Sequence, residues 1–326
     1  MRLRTPASLL RCVIVRWVGC LSVGFLAASS PLAAENPALV PDFANVAYGA
    51  DPRNVLDLWQ APAEVPTPVF IYFHGGGFTG GDKSGCPAQA AGLCRKMGIS
   101  FVSANYRLVS GPAGAPFPAP MLDGARVVQF LRANTWKWNL DPRRIAIGGG
   151  SAGGDIALWV ALHDDLADPK AADPVLRESS RVACVISWDG QSSNDPHLVS
   201  MLGGPKTDHP SLLPLYGVKT RAELETPAMR KTIEEASAVN HATRDDPPVL
   251  LIYGQPMTAL PLPETVDWGT AIHHPFFGKL LKDKLDPLGV PCEFYHGGAR
   301  PPPNGLQDFL GKYLMTAPGE GNRQTR

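Results

Sequence analysis

Five residues near the middle of the chain have the types and spacing of a nucleophile turn, because residues 149–153 read Gly-Gly-Ser-Ala-Gly. They lie between the strand-like run RIAIG and the helix-like run DIALWVAL. A sharp strand-to-helix turn needs small neighbours around its Ser, since side chains there would collide with the backbone, and it lifts the hydroxyl above the sheet. No Lys follows the glycines to hold a phosphate. The pattern therefore indicates Ser151 as a candidate nucleophile.

A second glycine-rich loop precedes this turn by 77 residues and reads His74, Gly75, Gly76, Gly77 and Phe78. It also follows a strand-like run directly. Three consecutive glycines let backbone N–H groups converge on one point, where a negatively charged oxygen can form during acyl transfer. Removing one such donor typically costs ~100-fold or more in rate. The two loops occur in the order that a nucleophile elbow requires, so they predict a nucleophile and an oxyanion hole at one sheet edge.

These motifs resemble the hormone-sensitive-lipase-like branch of the α/β-hydrolase fold, also called the fold-3 esterase family. The matching segments are FHGGGF at 73–78, ANYRL at 104–108, DPRRIAIGGGSAGG at 141–154 and PPVLLIYG at 247–254. The opening segment VAYGADPRNVLDLW, at 46–59, is also similar to the start of secreted bacterial acetylxylan and feruloyl esterases, which deacylate plant polysaccharides. The similarity is close over residues 43–162 and loose beyond them.

The resemblance implies a role for each motif residue. Ser151 corresponds to the nucleophile, and the backbone N–H groups of Gly76, Gly77 and Ala152 correspond to the oxyanion hole. His74 corresponds to an orienting residue at the turn rather than to the base. Hydrolysis through an acyl-serine needs neither a cofactor nor a metal, and we predict neither.

The chain departs from the family pattern at the other two members of the catalytic triad. The family acid usually follows the strand that ends at Gly254, but residues 255–258 read Gln-Pro-Met-Thr. The family His normally follows the last strand, where Arg300 stands instead. A triad needs an imidazole within hydrogen-bonding reach of the Ser and a carboxylate that orients it. Either these partners come from elsewhere in the chain or the site is silent.

Three histidines are candidates for a relocated base. His273 and His274 stand directly before Pro275, a residue suited to the first turn of a helix. Helix N-termini and strand C-termini share one edge of a parallel sheet, so both imidazoles are expected at the active-site edge. The alternative is a structural role at a helix cap. His296, at the end of the last predicted strand, is the third candidate.

Four acidic residues on the same edge are candidates for the third member. We favour Asp267, because it is close in sequence to the His pair. Asp195 is the second choice, and Glu264 and Asp189 are further candidates. Each of them has the alternative of being a solvated loop residue. The remaining histidines outside the motifs are expected at the surface, namely His163, His197, His209 and His241.

The elements that must position these residues alternate along the chain. Strands are predicted at 68–73, 99–104, 145–148, 182–188, 248–253 and 292–296, with an antiparallel edge hairpin at 46–48 and 56–59. Helices are predicted at 87–97, 120–134, 152–162, 275–288 and 306–314. Several strands are apolar without alternation, as strands covered on both faces should be. The pattern predicts an α/β protein with a mostly parallel twisted sheet and helices on both faces. Residues 163–181 and 195–246 break the alternation and are expected to pass over the sheet.

The first 34 residues have the pattern of an export signal. They carry four Arg and no acidic residue, with an uncharged apolar stretch at 17–28 and small residues before Glu35. The apolar stretch is shorter than the ~20 residues that span a bilayer, so a cleaved signal at 1–34 is expected rather than an anchor. The mature chain, 35–326, is then a single α/β-hydrolase domain in the periplasm or outside the cell.

Charge limits the class of partner. The chain has 30 basic and 30 acidic residues, and removing the four Arg of the signal leaves 26 against 30. Nucleic acid and anionic membrane need clustered basic residues, so neither partner is expected for the mature chain. Oligomeric state is not predicted from the sequence. The four cysteines beyond the signal, which lack zinc-site spacing, are expected as free thiols, with a Cys184–Cys292 disulfide as the alternative.

Two functions are compatible with these observations. The first is a secreted serine carboxylesterase that acts on a small-molecule or carbohydrate ester, such as an acetyl or feruloyl ester of plant polysaccharide. The second is a binding module that keeps the hydrolase fold but lacks a complete triad, because a fold does not guarantee its activity.

Overall fold

The computed structural model describes residues 40–111, 114–298, 302 and 304–316. The predicted signal at 1–34, the C-terminal tail from 317 and Arg300 lie outside the described residues. Within the described residues, no helix is both long and apolar enough to cross a membrane.

A single eight-stranded sheet organises the described residues, in the order β1-β2-β4-β3-β5-β6-β7-β8. The strands are β1 (Phe43–Ala47), β2 (Val55–Trp59), β3 (Thr67–Phe73), β4 (Ser100–Ala104), β5 (Leu140–Gly150), β6 (Cys184–Trp188), β7 (Val249–Ile252) and β8 (Cys292–Tyr295). All neighbours from β4 to β8 pair in parallel, whereas β1 and β2 form an antiparallel hairpin at one edge. This topology confirms the predicted α/β class and the predicted edge hairpin.

Ten α-helices cover the described part of the sheet. They are α1 (Ala88–Lys96), α2 (Ala119–Ala133), α3 (Ala152–Leu162), α4 (Pro196–Met201), α5 (Leu212–Tyr216), α6 (Arg221–Leu224), α7 (Pro227–Ala236), α8 (Trp268–Ile272), α9 (Phe276–Leu285) and α10 (Gly305–Leu310). Four of them, α4 to α7, lie within the segment 195–246 that interrupts the alternation. The prediction missed α8 as a helix, because five residues are too few to show a helical period.

Helix α3 lies at the centre of the fold, and each of its eleven residues is buried. It is apolar on all sides, as a helix covered by other elements should be. Burial of each large side chain, such as Ile156 or Leu158, contributes roughly 1.5–3 kcal/mol. The helix that begins directly after Ser151 is therefore among the most firmly held elements of the described fold.

The pairing of β5 explains why this strand is longer than its apolar run predicts. Thr67 pairs with Leu140, so the strand begins five residues before Ile145. The four cysteines of the described residues, Cys86, Cys94, Cys184 and Cys292, are all free thiols. The Cys184–Cys292 disulfide, left open as an alternative, is not formed.

Candidate active site

Ser151 occupies a sharp turn between β5 and α3. Its backbone has φ 52° and ψ −122°, a conformation that non-glycine residues seldom adopt. The turn is held because the Ser151 N–H donates to the Trp188 carbonyl at 2.8 Å and the Asp155 N–H donates to the Ser151 carbonyl at 3.0 Å. A Cβ atom at Gly153 would collide with the Phe73 carbonyl. Gly153 must therefore stay small, as predicted, because the backbone at Phe73 passes too close for a side chain.

The loop that carries the three glycines packs directly against this turn. A Cβ atom at Gly75 would lie 2.9 Å from the Gly150 carbonyl oxygen and 3.3 Å from the Cβ of Ser151. Gly76 and Gly77 have φ values of 118° and 58°, which favour glycine. Their N–H groups donate to no acceptor among the described residues. They are thus available to an oxyanion.

His74 stabilises the glycine loop from below. Its Nδ1 lies 2.7 Å from the Gly75 carbonyl oxygen and its Nε2 lies 3.2 Å from the Arg53 guanidinium. The imidazole stacks on Tyr106 at a centroid distance of 4.4 Å. Burial lowers the pKa of His74, so the imidazole is neutral and donates from Nδ1 to Gly75. This geometry fits the orienting role that the resemblance implies.

His273 is the imidazole that reaches the candidate nucleophile. The Ser151 Oγ lies 2.9 Å from its Nε2, although 122 residues separate the two in sequence. His273 follows α8 directly, and its N–H donates to the Gly269 carbonyl at 3.3 Å. The end of this short helix therefore sets the position of the His273 imidazole beside Ser151.

His274, the other member of the predicted pair, lies in a different environment. It is buried, and its Nε2 lies 3.0 Å from the Thr258 hydroxyl. Its Nδ1 accepts the Phe276 N–H at 3.1 Å, which fixes the start of α9. Both ring nitrogens are therefore occupied away from Ser151, and the geometry favours the structural alternative for His274.

Asp267 does not contact either imidazole of the pair. Its carboxylate caps the N-terminus of α8, accepting the Thr270 N–H at 2.9 Å and the Thr270 hydroxyl at 3.1 Å. The backbone hydrogen bond from Thr270 lowers the pKa of this carboxyl. Asp267 therefore supports the helix that carries His273, and the geometry gives it no direct contact with the base.

The other candidates for the base and the acid are also engaged elsewhere. The Asp189 carboxylate accepts the Gly254 N–H at 2.8 Å, and Asp195 caps α4. Glu264 pairs with Lys206 at the surface, and the His296 Nδ1 accepts the Gly298 N–H. Among the residues that the structure describes, no carboxylate forms a hydrogen bond or an ion pair with His273.

A cavity of about 400 Å³ opens beside Ser151, Ala152 and Gly77. Its wall comes mainly from the segment 191–221 and from α8. Its lining combines polar side chains with apolar and aromatic ones, namely Gln191, Asn194, Ser200, Lys206 and Arg221 on the one hand and Phe78, Val199, Leu212, Leu215, Trp268 and Ile272 on the other. The cavity residues of the segment 191–221 and of α8 were not predicted from the sequence, because they belong to no motif and come together only in the folded chain.

His209 is a further cavity residue, which we had expected at the surface. Its ring contacts Trp268 edge-on at 5.6 Å and lies beside Gly77. Burial lowers the pKa of His209, and the nearby His273 lowers it further. His209 is therefore neutral at neutral pH, and it adds no positive charge next to the base.

Asp155 lies buried directly below the elbow, in the first turn of α3. One carboxylate oxygen accepts the Gln191 N–H, and the other has no hydrogen-bond partner. Burial raises the pKa of this carboxyl well above its ordinary range. Burial therefore favours the protonated form of Asp155, and its hydrogen bond holds the loop of Gln191 against α3.

Comparison with known proteins identifies the family. The family model described as BD-FAE matches residues 56–268, more than half of the chain. The probable carboxylic ester hydrolase LipM of Mycobacterium tuberculosis is 28% identical over 222 residues, which cover 67% of this chain and 48% of that protein. Esterase LipQ of the same organism is 28% identical over 240 residues, covering 70% of this chain and 52% of LipQ. The chain thus spans about half the length of these curated relatives.

Solved structures give the same fold. A truncated carbohydrate esterase from gut microbiota superposes with a TM-score of 0.65 at 20% identity, over 84% of this chain and 96% of that one. The acetyl ester-xyloside bifunctional hydrolase of Caldicellulosiruptor lactoaceticus superposes with a TM-score of 0.61 at 24% identity, over 85% and 94% of the two chains. The chain therefore has the α/β-hydrolase fold and belongs to the BD-FAE family, among the hormone-sensitive-lipase-like carboxylesterases.

Proposed function

We propose that this protein is a serine carboxylesterase in which Ser151 is the nucleophile and His273 is the base. The observation that carries the proposal is the 2.9 Å contact between Ser151 Oγ and His273 Nε2, beside the unpaired N–H groups of Gly76 and Gly77. The relatives LipM and LipQ, which are described as a carboxylic ester hydrolase and an esterase, support the reaction class.

The proposed reaction has two halves. His273 takes the proton from the Ser151 hydroxyl as the oxygen attacks the ester carbonyl, and the N–H groups of Gly76, Gly77 and Ala152 stabilise the oxyanion. Protonated His273 then gives its proton to the departing alcohol. In the second half, His273 removes a proton from water, which hydrolyses the acyl-serine and restores the enzyme.

We propose a carbohydrate ester as substrate. The cavity beside Ser151 combines amide, hydroxyl and charged side chains with apolar and aromatic ones, such as Phe78, Leu215 and Trp268, so it offers contacts both for the hydroxyl groups and for the apolar ring faces of a sugar. The two solved structures named above are described as a carbohydrate esterase and an acetyl ester-xyloside hydrolase, which is consistent with this class. Export through the segment 1–34 would bring the enzyme to polymeric substrate, and it is part of the same proposal.

The test of the reaction is hydrolysis of p-nitrophenyl acetate, with Ser151→Ala as the reference. Turnover that depends on Ser151, together with labelling of Ser151 by a fluorophosphonate, is the expected result. Release of acetate from acetylated xylan, compared with hydrolysis of p-nitrophenyl octanoate, then tests the substrate class. Cell fractionation with N-terminal sequencing of the mature protein tests export and cleavage after Ala34.

The second candidate is a binding module with the same fold. It is favoured by one observation, that no carboxylate of the described residues contacts His273. An imidazole without an acid partner can adopt the wrong tautomer, which lowers kcat by about 10⁴ in a well-studied protease. Folded protein that binds xylan oligosaccharides but neither turns over the ester nor reacts with the fluorophosphonate would establish this candidate.

A further inference from the structure

A cluster of two imidazoles and one carboxylate lies outside the candidate active site. One ligand atom from each of His163, Glu235 and His241 lies within 4.8 Å of the others. His163 follows α3, Glu235 lies near the end of α7, and His241 ends a short 3₁₀ helix, Ala238–His241. The sequence predicts both histidines at the surface, because they lie in the segments 163–181 and 195–246 that interrupt the alternation of strands and helices.

The second nitrogen of each imidazole is held by a backbone carbonyl. The His163 Nδ1 lies 2.9 Å from the Asp164 carbonyl oxygen, and the His241 Nε2 lies 2.7 Å from the Glu235 carbonyl oxygen. A carbonyl oxygen only accepts, so these two nitrogens carry the protons. Metal-binding histidines are usually oriented in this way, with the other N–H donated to a carbonyl or a carboxylate.

The other nitrogen of each ring, Nε2 of His163 and Nδ1 of His241, remains as the candidate ligand atom. The His163 Nε2 faces the Glu235 carboxylate at 3.0 Å. A neutral imidazole nitrogen and a carboxylate oxygen both present lone pairs, so this approach is stable only with a proton or a cation between them. The ring of His241 lies at a centroid distance of 4.7 Å from that of His163, and one ligand atom of His241 lies within 4.8 Å of the ligand atoms of His163 and Glu235.

Trp159 holds the three groups in place. Its ring centroid is 4.3 Å from that of His163 and 6.0 Å from that of His241. Its indole N–H donates to the Glu235 carbonyl at 2.8 Å. Trp159 is buried, whereas the Glu235 carboxylate is exposed, so the cluster has a rigid inner wall and an outer face open to water.

We propose that His163, Glu235 and His241 bind a divalent transition-metal ion of the zinc class. Imidazole nitrogen and carboxylate oxygen are ligands that zinc prefers, and water completes a tetrahedral site on the exposed face. Zinc bonds of ~2.1 Å bring tetrahedral ligands to about 3.4 Å from one another. The three ligand atoms, which lie within 4.8 Å of one another, would therefore approach by up to about 1.4 Å on binding.

The position of the proposed metal site indicates that a bound ion would stabilise the fold rather than take part in the reaction at Ser151. It lies at the C-terminal end of α3, whereas Ser151 lies at the N-terminal end, and eleven residues of helix rise about 16 Å. A bound ion would join α3 to α7 and to the 3₁₀ turn that follows it. The proposal is therefore independent of the esterase proposal, and its readouts are metal affinity and thermal stability.

The chain offers a matched control for the experiment. His197 and Glu225 also form a histidine–glutamate pair at 3.0 Å, and both are exposed. This pair has no second imidazole. His197→Ala therefore removes a surface histidine of the same kind without touching the proposed site.

The experiment titrates ZnCl₂ into the chelator-treated full chain by isothermal calorimetry, with a thermal unfolding scan of each sample. We expect one equivalent of Zn²⁺ to bind and to raise Tm in the wild type and in His197→Ala. His163→Ala, His241→Ala and Glu235→Gln should weaken binding by about 10-fold or more and lose the Tm increase. Glu235→Gln changes only an exposed side chain, so it keeps the test valid where a His variant fails to fold.

Three results would overturn the proposal. The first is the absence of stoichiometric Zn²⁺ binding to folded wild type. The second is equal affinity in the wild type and in Glu235→Gln. The third is binding that disappears in His273→Ala or after thiol alkylation, because the ion would then bind at the candidate active site or at the cysteines.

Discussion

His273 and His274 are neighbours in sequence, but their imidazoles lie in different parts of the fold. The His273 Nε2 lies 2.9 Å from the Ser151 hydroxyl oxygen, whereas the His274 Nε2 lies 3.0 Å from the Thr258 hydroxyl oxygen. The residues follow the end of α8 and precede α9, so the chain changes direction between them. One position along this turn separates an imidazole at the candidate active site from a structural one.

The two histidines should therefore differ sharply when each is replaced by Asn. We expect His273→Asn to lower kcat for p-nitrophenyl acetate by about a thousandfold or more, because the proton acceptor of Ser151 is lost. His274→Asn keeps an acceptor for the Phe276 N–H and should mainly lower Tm. Equal kcat losses in the two variants, at unchanged circular dichroism, would contradict the assignment of the base to His273.

Asp267 should support catalysis by capping α8, and the negative charge of its carboxylate should matter little. Asn is as good an N-cap as Asp, so Asp267→Asn should keep kcat within about threefold of the wild type. Asp267→Ala removes the acceptor of the Thr270 N–H and should lower kcat more than Asn does, by loosening the helix before His273. Steady-state kinetics of both variants are the measurement. A large loss in Asp267→Asn with unchanged Tm would mean that the carboxylate acts directly on the base.

Gly77→Ala should lower kcat if the Gly77 N–H belongs to the proposed oxyanion hole. The residue has φ 58°, and an added Cβ would lie 2.7 Å from the Ser211 Oγ, so the loop must shift. Loss of one aligned N–H donor lowers kcat by about 100-fold. Gly80→Ala is the matched control in the same loop, because a Cβ there meets no atom within 4 Å. If the two variants have the same kcat, the N–H of Gly77 does not stabilise the transition state.

Asp155 should make the fold less stable as pH rises. Burial raises the pKa of this carboxyl in the folded state, while the unfolded chain ionises it above about pH 4. The folded state then binds one proton more than the unfolded state. Above pH 4, and until the folded pKa is reached, each pH unit therefore lowers the folding equilibrium constant by about tenfold at this residue.

Asp155→Asn removes this titration and keeps an oxygen for the Gln191 N–H. Urea unfolding at pH 5, 6 and 7 should show the variant gaining stability relative to the wild type as pH increases. Asp283→Asn, at an exposed carboxylate, is the control and should show no such trend. A difference between wild type and Asp155→Asn that stays constant with pH would mean that Asp155 is ionised in the folded protein.

Much of the fold could be predicted from the sequence, because it follows from local patterns of residues. Apolar runs without alternation predicted the parallel strands, and the glycines around Ser151 predicted the elbow, because both features depend on neighbours within a few residues. The motif residues at 74–78 and 149–153 fall where such reasoning placed them, at the carboxyl ends of β3 and β5. Helices α4, α5 and α6 have only four to six residues, too few to show a period, whereas the ten-residue amphipathic helix α7 was missed by the sequence prediction.

The partners of the motifs depend on tertiary structure. The sequence alone indicated that an esterase would need an imidazole near Ser151 and offered three candidate histidines, with a silent site as the alternative, but adjacent residues share the same local signals. The direction of the chain between α8 and α9 decided between His273 and His274. The cavity residue His209 and the cluster of His163, Glu235 and His241 are assembled from distant segments. Their proximity arises from packing of the 195–246 segment on the sheet, and no spacing along the chain encodes it.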